Sequence, residues 1–268
     1  MTASVGIKVE ALRDELCGWL ERQPAFGRFC RAPVVGAAAT DDPRWAQLRM
    51  VAHTEHLLPQ DLLPGAHSVV AWFLPFQPWL ANENRGGEWA AESWGESYVR
   101  VNELLAQAGA FLAERLAGRG FRAATDPPTG KFDREKLVAP WSHKHAAWVC
   151  GVGSFGLHHL LITREGAVGR LGSLVTDAPL APSPAPPAEF CLAKNGRKCR
   201  RCIDACPIGA LAGEVFDRRA CWARCLDNAA RLAHLGNAQV CGKCLVVCPG
   251  ISRVVRLPVD EDGPNASA

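Results

Sequence analysis

The hydrophobic pattern changes character several times along the 268 residues. Residues 6–22 place Leu12, Leu16, Trp19 and Leu20 on one face with charges opposite, the period of an amphipathic helix. Val34-Val35-Gly36 is a short apolar run ending before the Asp41-Asp42-Pro43 turn, and residues 45–58 are expected to be helical. From Ser68 to Leu74 the chain is continuously apolar over a strand's length, entered from Pro64-Gly65 and stopped by Pro75 and Pro78. Such a run suits a strand buried on both faces. Val101, Leu104, Leu105, Phe111, Leu112 and Leu116 then recur at helical spacing within residues 98–116, before a Gly118-Arg119-Gly120 stop.

Past a Pro/Gly loop at 126–130, residues 132–149 are expected to form a helix broken at Pro140, followed by a glycine turn at 150–156. Leu160-Leu161-Ile162-Thr163 and residues 171–176 read as two strands around the Arg164-Glu165-Gly166 turn. Five prolines between Asp177 and Glu189 make a stiff, extended connection. The pattern therefore predicts an α/β domain over 1–177, a Pro-rich linker over 178–189, a second domain over 190–258 and a disordered tail over 259–268. No stretch approaches 18 uninterrupted apolar residues, and the charged N-terminus does not resemble a signal peptide.

Composition changes this picture at one point. With 48% apolar and 21% charged residues the chain has material for an ordinary core, and a net charge of +3 is too small to argue for nucleic acid. The cysteines are uneven: of twelve, nine fall between Cys191 and Cys248, and only Cys17, Cys30 and Cys150 precede them. That distribution excludes a disulfide-laced secreted domain and implies thiols kept free in a reducing compartment, so a cytoplasmic location is expected.

Written out, the module is Cys191-x7-Cys199-x2-Cys202-x3-Cys206-Pro207, then Cys221-x3-Cys225-x15-Cys241-x2-Cys244-x3-Cys248-Pro249. The run C-x2-C-x3-C-P occurs twice. Two thiolates two residues apart grip one centre from a tight turn, and the third, followed by Pro, ligates the other cluster in two-cluster ferredoxins. Zinc sites show pairs or Cys/His mixes without that Cys-Pro ending, so two [4Fe–4S] clusters are the reading, with a zinc-stabilised interaction module as rival. By the cross-over, cluster one takes Cys191, Cys199, Cys202 and Cys248. Cluster two takes Cys206, Cys241, Cys244 and either Cys221 or Cys225, which lie one turn apart on a predicted helix at 218–235. The same region carries ten Lys/Arg against four Asp/Glu. That excess would balance the clusters' negative charge, and would also suit docking of an acidic ferredoxin- or flavodoxin-type electron donor.

Gly151-x-Gly153-x-x-Gly156 fits a dinucleotide fingerprint, but the flanking pattern is helix before and strands after, the reverse of what a pyrophosphate turn needs. These glycines instead imply close backbone approach to a flat cofactor or a neighbouring strand. His143, His145, His158 and His159 flank the turn. Of these, His143 and His145 are candidates to relay a proton in a reductive step, and Asp133 is a candidate acid or a helix N-cap.

The sequence resembles epoxyqueuosine reductase and its relatives, the reductive dehalogenases among them. Residues 150–162, CGVGSFGLHHLLI, match the family phrase A-G-L-G-W-I-G-K-N-x-L-L-I; residues 171–176, LGSLVT, match L-G-E-I-L-T; and RKCRRCIDACPIGAL matches the first cysteine run. The resemblance implies an α+β architecture, in which a nitroreductase-like, cobalamin-binding α/β domain precedes a ferredoxin-like double [4Fe–4S] module. It also implies a reductive enzyme, a corrinoid near Gly151, Gly153 and Gly156, and a modified nucleoside, hence tRNA, as the one nucleic-acid partner. By family spacing Cys221 rather than Cys225 is the lone cluster-two ligand. Three departures stand out. The family's first cluster cysteine falls at Gly196, so Cys191 must substitute. The position of its catalytic aspartate, three residues before Pro140, is Leu137. No counterpart is read for the helical-repeat extension that follows the family's clusters. The phrase WSHKHAA at 141–147 is similar to that of a shorter sister group. The expectation is an iron–sulfur oxidoreductase, with a non-enzymatic two-cluster electron carrier as alternative.

Overall fold

The computed structural model describes residues 7–126, 131–186, 188–213 and 215–250, so the tail expected at 259–268 lies outside the described residues. Chain order begins α1 (Val9–Leu20), α2 (Pro24–Phe29), β1 (Val34–Ala39), α3 (Arg44–Val51), α4 (Pro59–Leu62), β2 (Ser68–Pro75), α5 (Pro78–Arg85) and α6 (Glu92–Ala117). It continues β3 (Ala123–Thr125), α7 (His143–Val149), β4 (Gly153–Phe155), β5 (Leu161–Thr163) and β6 (Gly169–Thr176). The cysteine-rich part adds α8 (Arg201–Asp204), β7 (Leu211–Ala212), β8 (Val215–Phe216), α9 (Arg218–Arg231) and α10 (Lys243–Val246).

The continuous apolar run becomes β2, buried at every position, in an antiparallel sheet of order β1-β2-β6-β3. Alternation divides its side chains between two layers. Val70, Trp72 and Leu74 pack on the helical stripe of α1 (Leu12, Leu16, Leu20) and on Leu104, Leu105 and Leu112 of α6. Val69, Ala71 and Phe73 face Trp45, Leu48 and the α7 residues Ala146, Ala147 and Val149. The first core continues into Leu232, Val240, Leu245 and Val246, so the cysteine-rich part is seated on α5 and α6. Gly95 marks that contact: a Cβ there would lie 2.7 Å from Leu232 Cδ1. The proline-rich segment follows the sheet, with the Leu180 amide donating to Ser68 Oγ and Ser183 exchanging hydrogen bonds with Ala37.

Three local expectations change. Residues 45–58 are helical only to Val51, because the following residues turn to meet another segment: the Leu57 amide donates to Pro140 O, and the Ser142 amide to His56 Nε2. The stretch before Pro140 is a bridged loop pairing Asp133 with Val138, and the helix starts only at His143. The two strands around Gly166 are not a hairpin: β5 pairs with β4, while β6 crosses to the middle of the main sheet. The strand ends at Pro75 as expected, and Pro78 starts α5, since at the first helical position its missing N–H leaves nothing unpaired.

Candidate functional site

Two voids are lined by cysteine. Cys191, Cys199, Cys202 and Cys248 border one, together with Leu157 and His158. Cys206, Cys221, Cys225, Cys241 and Cys244 border the other. Cys206, last of the first sequence run, thus stands with the second run, and Cys248 stands with the first. Local structure explains the reach. The Phe190 amide is held by Ser154 Oγ, which fixes the approach of Cys191, while Gly242 in the left-handed conformation turns the chain between Cys241 and Cys244.

Burial and mutual repulsion push these thiols up. Cys248 rises to about 12 through burial, aided by Cys202, Cys191 and Cys199; Cys244 rises well above its ordinary value through burial and four neighbouring thiols. Desolvated sulfurs at such density ionise only if cationic charge compensates them, and a metal–sulfur cluster fits that donor set. Among the described residues, no three His, Cys, Asp or Glu side chains converge as they would on one metal ion. The sulfurs ring gaps instead. On α9 the Cys225 thiol donates to Cys221, lowering Cys221 to about 7 and raising Cys225.

Next to the second void lies a cavity of about 590 Å³, walled by Phe73, Trp141, Phe132, Trp222, Lys131, Arg134 and His143 among others. That volume is ordinary for a small-molecule or cofactor site. Tyr98, Lys144, Leu160, Gly169 and Arg170 border both it and the cysteine-lined space of about 260 Å³. Lys144 also borders a third cavity of about 300 Å³, with His53, His145, Arg218 and Cys221. Its Nζ donates to His159 O at 3.0 Å, lies 5.7 Å from the Phe155 ring, and is lowered by burial to about 8. Arg170, half-buried, lies 4.2 Å over the Tyr98 ring and donates to Asn102 Oδ1.

The sequence candidates are dispersed. His143 borders the large cavity; its Nδ1 meets Ser173 Oγ at 2.7 Å, Ser173 accepts from Trp141 Nε1, and burial lowers the imidazole to about 4. His145 faces the third cavity, paired with Ser142 Oγ and lowered by burial to about 3. Asp133 is fully exposed and accepts the amides of Lys136 and Glu135, which hold its carboxyl below the usual range. It therefore caps a loop turn, not a helix. Leu137 adopts φ 55° and borders the third cavity, so that position offers no proton.

The three glycines meet the chain itself. A Cβ would lie 2.5 Å from Pro184 O at Gly151, 2.3 Å from Ile162 O at Gly153 and 2.8 Å from the His158 ring at Gly156. None of them borders the cavities described here. Sequence reasoning passed over Tyr98, Lys144 and Arg170. Lys144 sits inside the WSHKHAA phrase and Tyr98 is the sole tyrosine, but only tertiary structure joins them.

The mixed helix-and-sheet fold is shared with epoxyqueuosine reductase and a reductive dehalogenase. A structure of epoxyqueuosine reductase with an epoxyqueuosine-modified tRNA-Tyr stem loop superposes with a TM-score of 0.61 at 21% identity, covering 90% of this chain and 65% of that one. A reductive dehalogenase, in a structure bearing on B12-dependent dehalogenation, gives 0.53 at 17% identity over 80% and 29%. No family model matches the chain. In sequence it is 31% identical to epoxyqueuosine reductase of Synechococcus sp. over 233 residues, 83% of this chain and 67% of the relative. With that of Bacillus cereus it shares 31% over 206 residues, 71% and 50%. The chain belongs to the epoxyqueuosine reductase family. It spans about half the length of the Bacillus and Listeria relatives it matches.

Proposed function

We propose that the protein is an iron–sulfur reductase in which two [4Fe–4S] clusters deliver single electrons to a substrate in the 590 Å³ cavity. The observation that carries this reading is the thiol-lined second void sharing its wall with that cavity. Cluster one would be held by Cys191, Cys199, Cys202 and Cys248, cluster two by Cys206, Cys221, Cys241 and Cys244. Lys194, Arg197, Lys198 and Arg200 are exposed around Cys199, a suitable approach for an acidic ferredoxin- or flavodoxin-type donor. Electrons would enter at cluster one and leave at cluster two. The two-part organisation, 1–177 and 190–258, belongs to the same proposal, with both parts walling the cavity.

A modified nucleoside of the epoxyqueuosine type, presented by tRNA, is the substrate proposed by family membership. Opening and removing an epoxide oxygen as water takes two electrons and two protons. Lys144 Nζ is the proton source best placed at neutral pH, because burial brings it to about 8 while it still touches the shared wall. Neutral His143, oriented by Ser173, orders the opposite side. Arg170 holds positive charge against anionic groups, and the aromatic walls exclude water. The walls also fit a large flat cofactor; a corrinoid, when bound, would supply a low-valent metal able to pass electrons onward.

Anaerobic purification with iron, sulfide and zinc analysis tests the clusters, and zinc without sulfide overturns the proposal. Added cobalamin should give a base-off spectrum. Epoxyqueuosine-bearing tRNA should be converted with a chemical reductant, and a fully loaded protein that leaves it unchanged overturns the substrate.

A further inference from the structure

Between the two thiol-lined voids stands one side chain that borders both, His158. Its ring is buried, 4% exposed, and its tautomer is settled by chemistry. The Leu160 amide donates to Nδ1 at 3.2 Å. A backbone N–H can only donate, so Nδ1 carries no proton and Nε2 must carry one. That Nε2–H is buried and has no hydrogen-bond partner within the protein. Buried donors are almost always paired; in the first of the two voids it borders, the other polar side chains of the lining are the sulfurs of Cys191, Cys199, Cys202 and Cys248.

Gly156 gives the ring its place. A Cβ at 156 would lie 2.8 Å from both Cε1 and Nε2 of His158. The third glycine of the 151–156 turn is thus required by the imidazole beside the cysteines.

We infer that His158 donates a hydrogen bond from Nε2 to a cluster sulfur at the boundary between the two clusters and raises the reduction potential of the cluster it touches. The inference rests on the cluster reading proposed above. An N–H donated to sulfur stabilises the more negative, reduced cluster, which is how surrounding hydrogen bonds tune these potentials. His158 is therefore a positioning residue for electron flow; it ligates no iron and transfers no proton.

The test uses the anaerobically reconstituted full chain labelled with ¹⁵N-histidine. Pulsed EPR of the reduced protein should show a weak ¹⁵N coupling that disappears in His158→Leu. Redox titration should show one midpoint shifted negative in His158→Leu and restored toward wild type in His158→Gln, which keeps a donor. Gly156→Ala should shift the same midpoint by crowding the ring, without touching a cysteine. A wild-type protein with full iron and sulfide but no histidine coupling overturns the inference, even if His158→Leu fails to fold. Unchanged midpoints in a fully loaded His158→Leu also overturn it. Absence of iron and sulfide from the wild type is a separate result and overturns the cluster reading instead.

Discussion

Asn84 is the most exacting test of how the cysteine-rich part is held. Its side chain is wholly buried on α5, with Nδ2 donating to Cys241 O at 2.8 Å and Oδ1 accepting the Ala91 amide at 2.9 Å. Its own carbonyl accepts from the Lys243 ammonium at 2.8 Å. One residue thus anchors the loop that carries Cys241 and Cys244. Asn84→Leu keeps the size but leaves the Cys241 carbonyl and the Ala91 amide without partners. Each orphan costs about 1–3 kcal/mol, and because both sit in partly buried surroundings the total should be about 2–4 kcal/mol. With an unfolding entropy of about 2.1 cal/mol/K per residue, that lowers the melting temperature by about 4–7 °C. Near-ultraviolet circular dichroism and visible cluster absorbance, followed together on heating under argon, should both shift down. Asn82→Leu, exposed on the same helix, is the control. If Asn84→Leu melts within about 1 °C of the control, the paired amide is not what fixes the loop.

Cys221→Ala should reduce bound iron from about eight to about four per chain, while Cys225→Ala retains about eight, read by iron and sulfide analysis. His143 carries a pH dependence: its folded pKa of about 4 lies below the unfolded value near 6.5. The unfolded chain then binds a proton the native state refuses, so stability is unaffected above about pH 6.5 and falls by up to about 1.4 kcal/mol per unit toward pH 4. Urea titrations at about pH 7 and about pH 5 should show a smaller loss in His143→Gln. Gly153→Ala should destabilise by about 2 kcal/mol or more because its Cβ would meet Ile162 O at 2.3 Å, whereas Gly27→Ala, in open space on α2, should stabilise by about 0.5–1 kcal/mol in denaturant melts. Lys144→Met should lower kcat at least about 100-fold in single-turnover reduction of the tRNA substrate, with iron content unchanged.

What the sequence disclosed follows from which constraints are local. The β2 run, the α1 stripe and the α6 stripe are each written in their own residues, and each forms as expected. Even so, α6 begins at Glu92, six residues before Tyr98, because Trp94 and Ser97 are buried there and Gly95 lets Leu232 approach, a contact no local period announces. The partner of β5 was equally hidden. Thr163 and Gly166 bridge across a tight turn, which resembles a hairpin in sequence, yet the chain after it runs to the centre of another sheet.

The candidate site divides the same way. Ligand spacing on a tight turn is local, so the nine cysteines were visible as a group; the approach of Cys206 to Cys241, and of Cys248 to Cys191, is tertiary and rested on a repeat pattern. The phrase at 141–147 shows why the cavity residues were harder. Successive residues on a helix point about 100° apart, so His143, Lys144 and His145 face different surroundings although they are adjacent. His143 reaches Ser173 of β6 and the large cavity, Lys144 the wall shared with the thiol-lined void, and His145 the third cavity beside His56. The two candidate histidines therefore serve different surroundings. The side chain between them is the one that touches all three spaces.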